Sequence, residues 1–245
     1  MRYKRVLLKL SGGALAGEAG FGFSPTSLEH IANELLSLTE MGVQVAVVVG
    51  GGNIFRGNMG EQWGIERAEA DSIGTLATVV NSLMLRGVLT SKTDREVRVM
   101  TSIPIHDVAE PYIRLRAIHH LDKGYIVIFA GGNGQPYVTT DYPSVQRAIE
   151  TRCEAILVAK HGVDGVYESD PKKYPQARKY RTLSYQDVIS TNIHVMDQAS
   201  VLLARDHQLP MYVFNFESQG SMKKVCAGED LGTVISQGPS SLVGS

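Results

Sequence analysis

Three observations predict an α/β fold in which a mostly parallel sheet lies between layers of helices. Short β-branched runs recur along the 245 residues and are continuously apolar, as in strands buried on both faces. Segments with helical periodicity separate these runs. Glycine, at 25 of 245 residues, exceeds the average of about 7% and clusters just after the runs. Strand–helix–strand repetition of this kind implies right-handed crossovers and parallel strands.

The elements follow in order from these patterns. The first helix is predicted to begin after Ser24, since serine caps helices and Pro25 suits a first turn, and to end before Gly42. The predicted strands are residues 5–10, 44–49, 97–100, 125–129, 155–158, 211–215 and 232–235. The later helices are residues 67–89, from after 111 to about 123, 143–152, 195–207 and 221–227. We expect a polar, irregular excursion at 163–190 and a frayed tail at 238–245. No linker divides the chain, so 1–245 is predicted to be a single domain.

Composition excludes several classes of protein. The formal net charge is −1, with 43% apolar and 20% charged residues, which argues against disorder and against a dedicated nucleic-acid binder. The cysteines, Cys153 and Cys226, have no zinc-ligand or disulfide spacing. The basic start is followed by an apolar run that stops at Lys9, so we expect no signal peptide. The apolar run 45–49 is far shorter than the ~20 residues of a membrane helix. We expect a soluble cytoplasmic protein.

Glycine-rich loops follow the first, second and fourth predicted strands, at residues 11–13, 50–57 and 130–136. In open α/β sheets ligands bind beyond the carboxyl ends of the strands. Glycine lets backbone N–H groups approach a phosphate without a Cβ in the way. The alternative is that glycine only turns the chain after a buried strand. Three such loops at one sheet edge favour phosphate binding.

Charged residues lie beside these loops. Lys9, within an apolar strand, and Arg56, within the second loop, suit phosphate contacts, although either could be an ordinary side chain reaching solvent. Asp71, Asp141 and Asp170 could serve phosphoryl transfer, or could be helix caps or turn residues. Asp141, before Tyr142-Pro143, is a candidate cap. The chain contains no GxxxxGK[ST], GxGxxG, HExxH or GxSxG motif, which excludes several familiar nucleotide and hydrolase sites.

Together these segments resemble the amino acid kinase superfamily, and within it the bacterial uridylate (UMP) kinases. The resemblance spans about residues 5–236. Its motifs are KLSG at 9–12, GGGNIFRG at 50–57, GTLAT at 74–78, FAGGNGQPYVTTD at 129–141, VDGVY at 163–167 with Asp170-Pro171, VMD at 195–197, ARD at 204–206, VFN at 213–215, and Gly228-Glu229 with Gly232-Thr233. Gly13 stands where the family usually has glutamate.

The resemblance implies a three-layer α/β/α sandwich that transfers the γ-phosphoryl group of ATP to UMP, with Mg²⁺ held mainly by nucleotide phosphates rather than by protein ligands. It also implies residue roles. The catalytic residues would be Lys9, Arg56 and Asp141, with Asp141 organising Lys9 and the metal-bound phosphates. The ATP site would comprise Lys9, Leu10, Ser11, Gly12, Gly52, Arg56, His161, Tyr167 and Asp170, of which the last three fall where the family binds adenosine. The UMP site would comprise Gly51, Asp71 on the ribose, Asn133, Gly134, Gln135, Pro136, Tyr137, Val138, Thr139 and Thr140. The UMP-binding part would be mainly N-terminal and the ATP-binding part mainly C-terminal.

The family is typically a homohexamer that GTP activates and UTP inhibits. A segment matching the one linked to GTP activation comprises Gly17, Glu18, Ala19, Gly20, Phe21 and Gly22. Two other hypotheses stay open: a sister enzyme of the same fold that phosphorylates a carboxylate or carbamate, and a non-catalytic nucleotide-binding or oxyanion-storage relative. We expect no nucleic-acid or membrane partner.

Overall fold

The computed structural model describes residues 2–191 and 193–244, whose strands form one sheet in the order β10-β7-β9-β8-β6-β1-β2-β5-β3-β4. The strands are β1 (Arg5–Leu10), β2 (Gln44–Val49), β3 (Val97–Thr101), β4 (Glu110–Pro111), β5 (Ile126–Ala130), β6 (Ala155–Lys160), β7 (Tyr180–Ser184), β8 (Met211–Asn215), β9 (Gly232–Ser236) and β10 (Ser241–Leu242). The pairs from β4 across to β8 are all parallel, while β8 with β9 and β10 with β7 are antiparallel.

Helices cover both faces of this sheet. They are α1 (Gly13–Ala16), α2 (Pro25–Glu40), α3 (Gly57–Gln62), α4 (Arg67–Thr90), α5 (Arg114–Asp122), α6 (Asp141–Glu150), α7 (Tyr185–Ser190), α8 (Gln198–Asp206) and α9 (Ser221–Ala227), with a 3₁₀ turn at Gly17–Ala19. One core packs α2, α4 and α9 against the sheet, and the other packs α5, α6, α7 and α8. Alternate residues of each central strand enter opposite cores. The predicted α/β/α sandwich is confirmed.

The strand order reverses beside β1. From β1 the chain moves outward to β2, whereas from β6, on the other side of β1, it moves outward to β8. The helix after β1 (α2) and the helix before β8 (α8) lie on opposite faces. A crevice opens at the carboxyl ends of strands where the order reverses, so the fold itself locates a ligand site at the ends of β1 and β6.

Several local predictions were wrong. The excursion 163–190 contains β7 and α7, and the tail expected to fray contains β10, which pairs with β7; Ser245 lies outside the described residues. The helix expected from residue 195 begins at Gln198, because Asp197 caps it by accepting the N–H of Ser200 at 2.7 Å. Ser24 does cap α2, accepting the N–H of Ser27 at 3.3 Å.

Helix α4 is long and apolar enough to cross a membrane by those two measures alone. It packs against β2, β3 and β5 and against the neighbouring α2, with Leu85 and Leu89 fully buried. The core helix of a layered fold satisfies the same two measures, so they do not indicate a membrane span here.

Candidate active site

Lys9 ends up on the α6 face of the sheet, because its neighbours Leu8 and Leu10 alternate into the opposite core. Its Nζ atom lies 2.7 Å from Oδ1 of Asp141, and only 12% and 18% of the two side chains are exposed. The pair stands at the end of β1, where the strand order reverses. An ammonium sheltered in this way is available to a phosphate that enters the crevice.

Asp141 is the first residue of α6, and the preceding Thr140 occupies the cap position without a side-chain cap bond. The prediction that Asp141 caps this helix was therefore wrong. Its carboxylate is held by two other elements instead: Oδ1 contacts Lys9, and Oδ2 accepts the N–H of Asp197 at 3.0 Å. Thr139 also donates its hydroxyl to Asp197, at 2.5 Å. The amino ends of α6 and α8 thus meet at the end of β1.

The first two glycine loops pack backbone against backbone. A Cβ added to Gly12 would lie 2.6 Å from both Gly52 N and Asn53 Oδ1, which no side chain can tolerate. Asn81 of α4 holds the second loop in place. It is fully buried and donates to Gly50 O at 2.7 Å and to Asn53 Oδ1 at 2.6 Å. Glycine is required here by close approach, so these loops do more than turn the chain.

The third glycine loop bends through left-handed backbone, with φ of +75° at Gly131 and +55° at Gly132. Thr78 of α4 accepts the N–H of Gly131 at 2.9 Å. Between this loop, the second loop and α4 lies a cleft of about 280 Å³. The predicted residues that line it are Gly51, Gly52, Arg56, Asp71, Asn133, Gln135, Val138, Thr139 and Thr140. Gly134, Pro136 and Tyr137 belong to the same loop but do not line the cleft.

Asp71 projects from the first turns of α4 into this cleft. Its Oδ2 accepts the N–H of Tyr137 at 2.8 Å, which ties the third loop to α4, and its Oδ1 contacts Arg67 Nε at 2.8 Å. Arg56 donates Nε to Gly52 O at 2.9 Å and lines the cleft. One carboxylate and one guanidinium on a wall of backbone amides suit a ligand with hydroxyls at one end and a phosphate at the other.

A second cavity, of about 620 Å³, opens beyond β6. Tyr167 and Asp170 line it, together with Lys160, His194 and Val195. The Tyr167 hydroxyl donates to Asp164 at 2.6 Å; this bond, helped by burial, raises the pKa of Tyr167 to about 12. His161 is not brought into this cavity. It is 65% exposed, contacts Glu217 at 3.0 Å and lines a separate cavity of about 570 Å³ with Ser11 and Gly17.

Among residues 2–191 and 193–244, no group of three or more His, Cys, Asp or Glu side chains could hold a metal ion. Asp141, the carboxylate beside Lys9, already accepts from Lys9 and Asp197. This donor set fits a Mg²⁺ ion that arrives coordinated by nucleotide phosphates better than a resident metal in a protein cage.

Comparison with known proteins identifies the family of this chain. The profile of the amino acid kinase family matches residues 4–215. The chain belongs to the amino acid kinase family. The resemblance stated from the sequence is therefore confirmed.

Several relatives within this family are similar over nearly their whole length. A uridylate kinase of Frankia casuarinae is 57% identical over 238 residues, 97% of this chain and 92% of that protein. A uridylate kinase of Limosilactobacillus reuteri is 50% identical over 235 residues, 96% of this chain and 98% of that protein. The crystal structure of UMP kinase from Bacillus anthracis has a TM-score of 0.97 at 66% identity, covering 99% of this chain and 100% of that one. That of Ureaplasma parvum UMP kinase has a TM-score of 0.91 at 30% identity, covering 97% and 100%.

In this amino acid kinase the segment Gly17–Gly22 touches the second glycine loop directly. The N–H of Gly22 donates to Asn53 O at 2.9 Å, and Asn53 Nδ2 returns a bond to Gly22 O at 2.8 Å. Asn53 is fully buried and also pairs with Asn81 of α4. The segment is therefore connected to the second glycine loop and to α4 through the backbone and side chain of Asn53.

Sequence reasoning missed several residues of the amino acid kinase site. Asp197 was noted only within a family motif, without a role. Thr78 was noted only within the GTLAT motif, without a role, and Asn81 was not singled out, although a polar residue on the apolar face of a helix is a recognisable signal. Lys160, like Lys9, is a lysine near the carboxyl end of an apolar strand, and that repeated pattern could have drawn attention to it.

Proposed function

We propose that this protein is a UMP kinase, an ATP:UMP phosphotransferase that forms UDP and ADP in pyrimidine nucleotide biosynthesis. The observation that carries the proposal is the Lys9–Asp141 pair, which lies at the carboxyl ends of the central strands, between two cavities. Asp141 directly follows Thr139 and Thr140 of the smaller cleft, and Lys160, next to the pair in the fold, lines the larger cavity. High identity to uridylate kinases over nearly the full chain supports UMP as the acceptor.

In the reaction, an oxygen of the UMP phosphate attacks the γ-phosphorus of ATP. The new O–P bond forms as the bond to the β,γ-bridging oxygen breaks, and its electron pair leaves on the β-phosphate of ADP. The attacking oxygen is already anionic, so no general base is needed. Catalysis therefore consists of alignment and charge neutralisation.

Each part of the site contributes to one of these tasks. Backbone N–H groups at Gly12, Gly51 and Gly132 hold the triphosphate of ATP and the phosphate of UMP in line. Asp71 accepts hydrogen bonds from the ribose hydroxyls of UMP. Lys9 and Arg56 neutralise charge that develops on the transferring oxygens, and Asp141 keeps Lys9 in position. Mg²⁺, bound with ATP, supplies additional positive charge to the phosphate oxygens.

An acceptor panel tests the proposal. ADP release is measured with UMP, CMP, acetylglutamate, aspartate and carbamate as acceptors, at saturating MgATP. We expect turnover with UMP and a much lower kcat/KM for the others. Turnover with only a carboxylate or carbamate acceptor would establish the sister-enzyme alternative, and turnover with none would establish a non-catalytic relative.

We further propose a cytoplasmic homohexamer, activated by GTP and inhibited by UTP, as the resemblance implies. The outer face of α4 supports self-association: Leu76, Val80 and Met84 are each more than a third exposed and form an apolar stripe. The contact between Gly22 and Asn53 supports a regulatory role for the segment at 17–22. Light scattering of the wild type and Val80→Glu tests the assembly, and the acceptor assay repeated with GTP or UTP tests the regulation.

A further inference from the structure

Lys160 is the last residue of β6 and stands beside β1, the strand that carries Lys9. Its side chain is largely buried, and its ammonium donates to Val195 O at 2.7 Å. Within the described ranges 2–191 and 193–244, it makes no ion pair with a carboxylate. By contrast, Lys9, Lys92 and Lys179 each contact one within 2.9 Å. A sheltered ammonium that only a carbonyl satisfies is costly to maintain.

The surroundings of Lys160 increase this cost. Burial, and next the positive charge of Lys9, lower the pKa of the Lys160 ammonium, and the opposing effect of Asp141 does not restore it. Asp141 is already shared between Lys9 and the N–H of Asp197. Asp141 is therefore not available to Lys160, and an anion that enters the crevice beside the two ammonium groups would offset the cost of burying Lys160.

The position of Lys160 indicates which anion would bind beside it. Lys160 lines the cavity that also contains Tyr167 and Asp170, the residues assigned to adenosine, and it lines the neighbouring cavity beside Ser11 of the first glycine loop. It therefore lies between the nucleoside end of the ATP site and the Lys9–Asp141 pair. A triphosphate running from one to the other must pass its ammonium.

We infer that Lys160 is a further catalytic cation beside Lys9 and Arg56. Its ammonium moves away from Val195 O and binds the β-phosphate of ATP. This inference rests on the proposed function. As the bond from the γ-phosphorus to the bridging oxygen breaks, the electron pair goes to the β-phosphate, and Lys160 stabilises the charge gained there while Lys9 acts on the transferring group. No proton moves in this step. The Val195 carbonyl holds the ammonium only while the site is empty of nucleotide.

The test compares Lys160→Met and Lys160→Arg with Lys92→Met, a surface control whose lysine pairs with Glu29. Calorimetry measures binding of MgADP and of adenosine, and the coupled assay measures kcat and the KM for UMP. For Lys160→Met we expect MgADP binding about 10-fold weaker and kcat about 100-fold lower. Adenosine binding and the KM for UMP should stay within about 2-fold, and Tm should not fall. Lys160→Arg should regain part of both losses, since it restores the charge.

The inference is overturned if Lys160→Met binds MgADP and turns over as the wild type does. It is also overturned if adenosine and MgADP binding weaken together and Tm falls, because Lys160 would then only support the fold. MgADP binding needs no acceptor, so the calorimetric result stands even if the acceptor panel rejects UMP. A failure of the proposed function is thereby distinguished from a failure of this inference.

Discussion

Asp197 donates its backbone N–H to the carboxylate of Asp141 at 3.0 Å, so two acidic residues 56 positions apart are neighbours at the end of β1. The two carboxylates have different partners. Asp141 faces the Lys9 ammonium, and Asp197 caps α8 while accepting from Thr139. The contact joins the first turns of α6 and α8 to β1, which makes the position of Lys9 a property of three elements rather than of one flexible side chain.

The first prediction concerns the Lys9–Asp141 pair. Lys9→Ala should lower kcat by at least about 1,000-fold, because it removes a preorganised cation from a sheltered site. The fold should persist, since Asp141 keeps its bond from Asp197. The measurement is the coupled assay together with circular dichroism. Turnover near that of the wild type would exclude Lys9 from catalysis.

A double-mutant cycle shows whether the two residues act as a unit. If Asp141 serves mainly to position Lys9, adding Asp141→Asn to Lys9→Ala should cost little more activity than Lys9→Ala alone. Losses that simply add would assign Asp141 an independent role.

The second prediction concerns Asp197, whose side chain accepts from Ser200 N at 2.7 Å and from Thr139. Asp197→Ala removes the cap of α8 and should lower the free energy of unfolding by about 1 kcal/mol. It should also reduce kcat, because the peptide that fixes Asp141 loses its anchor. Asp197→Asn is the matched control, since asparagine caps helices equally well. Urea unfolding of the two variants is the measurement, and equal stabilities would contradict the capping role.

The sequence predicted elements best where burial is greatest. β1, β2, β8 and α9 have the predicted bounds, because a strand buried on both faces must be continuously apolar and a short amphipathic helix is bracketed by glycine. β7 was missed because it lies near the sheet edge, where only Leu183 of its residues is buried, so its sequence shows no apolar run.

The position of the site could be predicted from the sequence, but the contacts between its side chains could not. The loops at the ends of β1, β2 and β5 could be located from glycine alone, since parallel strands end at one edge. Lys9 and Asp141 are 132 residues apart, and only the family resemblance predicted that they act together. Lys160 was not predicted. The sequence shows a lysine at the end of an apolar strand, but it does not show that this lysine has no carboxylate partner among residues 2–191 and 193–244.

The third prediction concerns acid stability through Glu150 at the end of α6. Burial raises the pKa of this carboxyl, but bonds from Tyr112, from Arg147 at 2.6 Å and from Gln146 at 3.0 Å outweigh it and hold the pKa below 4.5. The folded state therefore binds fewer protons than the unfolded state near pH 4.5. Glu150 stabilises the fold above that pH, and its contribution is lost as the pH falls through the lowered pKa.

The measurement is the free energy of unfolding of the wild type and of Glu150→Gln across acidic pH. We expect the variant to be less stable by about 1–3 kcal/mol at pH 7, with the difference shrinking steadily below about pH 4. A difference that does not change with pH would mean that the charge of Glu150 is unimportant and that only its shape matters.

The fourth prediction separates two adjacent glycines. Gly12 has φ of −56°, which alanine adopts readily, so the only obstacle at Gly12 is space: its added Cβ would lie 2.6 Å from Gly52 N. At Gly13 the nearest atom is Ser11 Oγ at 3.8 Å, an ordinary contact. Gly12→Ala must therefore push the first two glycine loops apart, whereas Gly13→Ala need move nothing.

We expect Gly12→Ala to lower kcat/KM by about 100-fold, because the loops that align the phosphates of ATP and UMP separate. The same change should reduce the free energy of unfolding by about 1–3 kcal/mol. Gly13→Ala should keep kcat/KM within about 2-fold and gain up to about 1 kcal/mol, because Gly13 lies in α1, where alanine is the better helix former. Both variants change one hydrogen to one methyl group, so a difference between them isolates the backbone contact. Equal effects would mean that the two loops tolerate separation and that their contact is not what aligns the phosphates.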